Sequence, residues 1–115
     1  RMIGNYKFRC SEGAGGSVAV GFENHSGKTW LGKGVEPLGT VLAGFGNNGE
    51  DGTEGVHYKN LFGSYSHGPM LPKNPEFCDM LLATALEHRY GKAELAPLDD
   101  ALELLAHDEM CARVN

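Results

Sequence analysis

Fifteen of the 17 glycines in this 115-residue chain lie between Gly13 and Gly68. A long helix is disfavoured across that stretch, because each glycine in a helix interior costs about 0.5–1 kcal/mol relative to alanine. The glycines keep no fixed period, which excludes a collagen-like triple helix or a stacked repeat. Short strands joined by tight turns remain. Residues 1–8 read as the start of a strand, and runs 17–23, 38–45 and 61–66 carry β-branched or aromatic residues bounded by Gly and Asn. Between them, Gly46-Asn47-Asn48-Gly49-Glu50-Asp51-Gly52 is dense in residues that tolerate positive φ and is expected to be a loop or hairpin turn.

The period changes after residue 72. Asn74 is placed to cap a helix whose first residue is Pro75, where a missing N–H costs nothing, and Glu76 and Asp79 suit the positive end of the dipole. Phe77, Met80, Leu81, Thr84 and Ala85 then share one face, and Gly91 follows as the C-terminal cap. After Pro97, Asp99 is expected to cap a second helix with an apolar stripe of Leu98, Leu102, Leu105 and Ala106, ending near Arg113. The chain thus divides into a strand-and-turn part, 1–72, and two helices, 74–115.

The length fits one domain or part of one. No run of about 18 apolar residues suits a membrane span, and no basic-then-apolar leader opens the chain, so a cytoplasmic location is expected. Because the chain opens at Arg1, already within strand-like sequence, further sequence upstream is expected. Net charge is −5, with six basic and six acidic groups in residues 1–69 and four against nine in residues 70–115. Phosphate contacts need clustered Lys and Arg, so nucleic acid is not an expected partner. Cys10, Cys78 and Cys111 show neither zinc-type spacing nor a disulfide framework, and none sits in a small-x-Cys-x-small elbow, so reduced, structural thiols are expected.

Two stretches carry candidate chemistry. His67 lies just past a strand, before the Gly68-Pro69 turn that feeds a helix, and a neutral imidazole there can act as a general base near pH 7. An ordinary, satisfied histidine is the alternative, and the commoner one for a histidine taken alone. In Glu23-Asn24-His25-Ser26-Gly27, a carboxylate close to a histidine can fix its tautomer, although a solvated strand end has the same spacing. His25, His57 and His67 lack a ligand pattern, so no metal is expected. The loop 44–55 lacks the Gly-Lys-Ser/Thr of a phosphate loop and carries Glu50, Asp51 and Glu54, which would repel phosphate; a turn that shapes a substrate site or the fold is expected instead.

Residues 21–29, 46–55 and 65–75 together resemble the C-terminal half of the GatD family. These are the glutaminase subunits of lipid II isoglutaminyl synthases, in the cobyric-acid-synthase-like branch of class I glutamine amidotransferases. The resemblance implies an α/β, three-layer, flavodoxin-like fold, of which this chain supplies the later strands and two closing helices. It implies that a cysteine thiolate attacks the side-chain amide of L-glutamine, that His67 moves the proton to the leaving ammonia, and that the thioester is hydrolysed to glutamate. The ammonia would pass to a Mur-ligase-like partner, which uses ATP and Mg to amidate the D-glutamate of lipid II in peptidoglycan biosynthesis. No cofactor is implied for this chain itself.

Carried over residue by residue, His67 is the catalytic histidine and Arg1 matches an arginine that holds the glutamine. Many class I members keep an acid two residues after the histidine; here that residue is Pro69, and Glu23, in the Gly-aromatic-Glu-x-His motif, is the candidate third member. The nucleophilic cysteine is expected upstream of Arg1, so the chain alone should be inactive. A parallel sheet without its first strands should also be poorly stable unless another segment covers it. Two other readings are a glutaminase domain of cobyric or cobyrinic acid amidation, and a non-catalytic module whose acidic helices dock a partner.

Overall fold

The computed structural model describes residues 1–115. Strand β1 (Met2–Cys10) turns through a 3-10 segment (Glu12–Ala14) into β2 (Val18–His25), and β3 (Gly39–Ala43), β4 (Thr53–Glu54), β5 (Val56–Tyr58) and β6 (Leu61–Gly63) follow. Helices α1 (Met70–Lys73), α2 (Pro75–Tyr90) and α3 (Ala101–Arg113) close the chain. The main sheet has the order β2-β1-β3-β4, and β5 and β6 form a separate hairpin.

Every strand pair within the chain is antiparallel, whereas the sequence reading expects later strands of a parallel sheet. The physical reason is the connection between β1 and β2. A parallel pair needs a crossover of a dozen or more residues, and here a tight turn ending at Gly15 (φ 94°) and Gly16 (φ 71°) reverses the chain at once. β1 sits between β2 and β3, and its period-2 alternation puts Met2, Tyr6, Phe8 and Cys10 inside. Tyr6, Phe8, Cys10, Ala14, Ala19, Leu38 and Phe77 form the core, with Phe62, Met70, Met80 and Leu81 packed on it.

Helix α2 starts at Pro75, and Gly91 (φ 77°) ends it with its N–H donated to Glu87 O at 2.8 Å, both as the sequence predicts. Asn74, however, does not cap with its side chain. That side chain is buried and reaches across to β2: Oδ1 accepts the Val20 N–H at 2.8 Å, and Nδ2 donates to Val20 O at 2.8 Å and to Met70 O at 2.7 Å. The amide completes the backbone pairing of Val20 and fastens the helices to the sheet. Asn74→Ala leaves these groups buried without partners, so we expect a loss of about 2–4 kcal/mol, read as a lower urea midpoint at unchanged slope.

Helix α3 corrects a second expectation. The stripe of Leu98, Leu102 and Leu105 is not covered; these residues are 78%, 77% and 61% exposed. The helix docks through its other face, where His107 Nδ1 donates to Lys73 O at 2.8 Å and Lys7 Nζ donates to Cys111 O at 2.9 Å. Asp99, expected as the cap, bonds the Ala101 N–H at 3.1 Å, while Asp100 occupies the cap position. Polar anchors, which periodicity does not register, decide the orientation.

Candidate active site

The site is built around β2 and the segment that follows β6. Strand β6 ends at Gly63, earlier than the run 61–66 suggests, and the N–H groups of residues 65–67 turn to other acceptors. Tyr65 N–H donates to Glu54 Oε1 at 3.1 Å, Ser66 N–H to Ser64 Oγ at 2.9 Å, and His67 N–H to Phe22 O at 2.8 Å. Phe22 N–H returns a bond to His67 O at 3.1 Å, so His67 is pinned to β2 by a single antiparallel bridge. Its imidazole is exposed and bonds no group of the chain. Gly21 makes this approach possible: a Cβ there would overlap Ser66 Oγ and lie 3.1 Å from His67 O. The following Gly68 (φ 99°) turns the chain away without a side chain.

Glu23 lies next to this bridge, on the opposite face of the strand. It is only 1% exposed, and its carboxylate accepts the Phe45 N–H at 2.8 Å and the Gly46 N–H at 3.0 Å. His25 Nε2 stands 3.2 Å from Glu23 Oε1, while His25 Nδ1 lies 2.9 Å from Gly27 O. Both ring nitrogens therefore face oxygen acceptors. The His25 ring stacks on Tyr65 with centroids 3.7 Å apart and planes 6° from parallel. The structure thus brings Glu23 to His25 and to the 44–46 turn, and forms no hydrogen bond between Glu23 and His67. The pattern Glu-x-His is a buried pair that supports Tyr65, two residues before His67.

A second buried carboxylate serves the same segment. Glu54, fully buried on β4, accepts the Ser64 hydroxyl at 2.9 Å as well as the Tyr65 N–H. Burial pushes its pKa up, while its hydrogen bonds act in the opposite direction. The Tyr65 hydroxyl lies 2.7 Å from Thr29 Oγ1, which fixes the far end of the ring. In the sequence Glu54 counts only as a charge hostile to phosphate; its one signal is a carboxylate at a Thr-Glu-Gly strand end. The 46–52 turn forms as expected, with Gly46, Gly49 and Gly52 at φ near 75° and Asn47 and Asn48 buried as its internal braces.

Arg1 is exposed at the far end of β1. Its Nε donates to Asn24 Oδ1 at 2.7 Å and Nη1 to Ser26 Oγ at 3.4 Å, beside a cleft that Lys28, Phe45 and Asn48 also line. His67 lies opposite Phe22, itself paired with Asn5, so Arg1 is four residues, roughly 13 Å, further along the strand direction. Desolvation raises the thiol of Cys10 to about 11 and pushes Cys111 up as well, while Cys78 lies within α2. His57 stacks on Phe62 and bonds Lys59 O at 2.9 Å. His25, His57 and His67 therefore serve three different places and do not converge.

Residues 1–75 match the family described as CobB/CobQ-like glutamine amidotransferase domain. The chain belongs to that family. Every residue of the site just described lies inside the matched region of this amidotransferase domain, whereas most of α2 and all of α3 lie beyond it. The chain is 48% identical over 96 residues to the lipid II isoglutaminyl synthase (glutamine-hydrolyzing) subunit GatD of Staphylococcus aureus strain N315, covering 84% of this chain and 39% of that protein. It is 51% identical over 83 residues to the subunit of the same name from Streptococcus pneumoniae, covering 71% and 32%. A probable cobyric acid synthase of Methanothermobacter thermautotrophicus is 41% identical over 68 residues, covering 59% and 13%. The chain therefore spans 39% and 32% of the length of the two GatD relatives.

Proposed function

We propose that this chain is the histidine-bearing part of a glutaminase subunit that hydrolyses L-glutamine and supplies ammonia for amidation of the D-glutamate of lipid II. The observation that carries this reading is His67. Its backbone is fixed on β2 by two hydrogen bonds, and its imidazole is left free for a reacting group, within the region matched to the amidotransferase family. No thiol of the chain is suited to the nucleophile, since burial holds Cys10 and Cys111 protonated and Cys78 is a helix residue. The thiolate is assigned to residues outside these 115.

In this mechanism the thiolate adds to the amide carbon of glutamine, and His67 gives the nitrogen the proton with which it leaves as ammonia. Water then adds to the thioester with His67 as base, releasing glutamate and restoring the thiolate. Arg1 and Lys28, the two cations at the cleft, suit the glutamine carboxylate. Glu23 contributes through His25 and the Phe45–Gly46 backbone rather than by touching His67. The complete domain is assigned a three-layer, flavodoxin-like architecture. Its further layer would cover the outward stripe of α3 and exposed sheet residues such as Ile3 and Leu42. Ammonia would be consumed on a Mur-ligase-like partner that activates the carboxylate with ATP and Mg, and shielding it from water preserves its nucleophilic lone pair.

The similarity to a cobyric acid synthase makes corrin amidation the second reading, over a shorter match and at lower identity. The acceptor decides between them. The full-length subunit with its synthase partner should amidate lipid II with glutamine as nitrogen source and leave a corrinoid acid unchanged; the reverse preference would establish the second reading.

A further inference from the structure

We propose that Glu54 is a positioning residue for His67, acting through Ser64 and the Tyr65 and Ser66 backbone; this rests on the glutaminase reading above. Three consecutive N–H groups lead into the imidazole, and each has a fixed acceptor. The first, Tyr65, goes directly to Glu54 Oε1 at 3.1 Å. The second, Ser66, goes to Ser64 Oγ at 2.9 Å, and the Ser64 hydroxyl donates onward to Glu54 Oε2 at 2.9 Å. The third, His67, goes to Phe22 O at 2.8 Å. One carboxylate thus holds two links of the chain segment, and β2 holds the third.

Both of Glu54's bonded partners act as donors, which is what selects a carboxylate here. An ionised carboxylate offers acceptors at both oxygens, and bonds to a charged acceptor are roughly twice as strong as neutral ones. A glutamine offers one acceptor and must turn an amide NH2 toward the other donor. The side chain is fully buried, so its charge is opposed by desolvation. A residue serving only to fill the core would be better apolar at this position. The surroundings supply no cation: Tyr6 and Cys10 on β1 and Glu23 on β2 are the titratable groups that face it, and burial keeps the first two neutral.

The sign of the pH effect follows. Burial raises the Glu54 pKa, so acidification protonates it earlier than an ordinary glutamate. Protonation removes one acceptor from the clamp and loosens the segment that carries His67. The acid limb of kcat then contains a Glu54 proton.

The test uses the full-length subunit with its partner, measuring kcat and KM for glutamine across pH. Glu54→Gln should lower kcat by about 10-fold, the scale of a small misplacement of a catalytic group, with KM unchanged and an acid limb shallower by one proton. Ser64→Ala, at an exposed position, should lower kcat in the same way if Glu54→Gln fails to fold. Parent kcat and parent acid limb in a folded variant would overturn the proposal, as would kcat and KM falling together with the acid limb unchanged. His67→Ala is run alongside: if it turns over glutamine normally, the glutaminase reading itself falls, whereas an inactive His67→Ala beside an unaffected Glu54→Gln overturns only the role of Glu54.

Discussion

His67→Ala, in the full-length subunit with its partner, is expected to lower glutamine turnover by at least ~10²-fold, the scale of a positioned general acid and base. Two protons move in the proposed cycle, one to the leaving nitrogen and one from the attacking water, and a single imidazole serves both. The loss should fall on kcat, because the side chain makes no bond within the chain and its removal leaves the fold intact. The Phe22 bridge uses only the His67 backbone, so it survives the substitution. The circular dichroism spectrum and urea midpoint should match those of the parent. A variant that loses turnover by unfolding would place His67 in the structure rather than in the chemistry.

Glu23→Ala should act in the opposite way, on stability first. Its carboxylate satisfies the buried N–H of Gly46 and the half-buried N–H of Phe45, and it holds His25 at 3.2 Å. Each orphaned buried donor costs about 1–3 kcal/mol, more where the lost acceptor is charged, so a total of about 3–5 kcal/mol is expected. The turn is packed tightly against this carboxylate and Tyr6. Gly44 (φ 121°) lies so close that a Cβ there would overlap Tyr6 Cβ and stand 2.8 Å from Glu23 Oε2. The check is a urea midpoint well below that of Asn24→Ala, whose side chain is on the surface and bonds only Arg1. Equal midpoints for the two variants would contradict the structural role of Glu23.

These two residues show where the sequence was legible. The glycine density correctly signals turns, and the Asn-Asn-Gly run is a turn because glycine supplies positive φ while the asparagine amides brace the inside. The ends of α2 are readable because proline and glycine act locally. Asn74 is misread because its amide serves a strand 54 residues away, a partner no local rule supplies. The face of α3 is misread for a related reason: periodicity assigns the leucines inward, but two polar anchors, His107 and Lys7, turn the helix over. At the site, His67 stands out by its place after a strand and before Gly68-Pro69. Glu54 does not stand out, since a glutamate in a glycine-rich loop reads as solvated until the fold buries it. Glu23 and His25 are legible as a pair, and only the geometry shows that the two bond each other and the 44–46 turn and make no hydrogen bond to His67.

The most direct measurement separates ammonia production from ammonia use. Lipid II amidation by the parent and by His67→Ala, each with its synthase partner, is followed by mass with either amide-15N glutamine or 15N-ammonium as the nitrogen source. The account predicts that His67→Ala loses labelling from glutamine and keeps labelling from ammonium at the parent rate. Undiminished labelling from glutamine in His67→Ala, or loss of labelling from both sources, would contradict it.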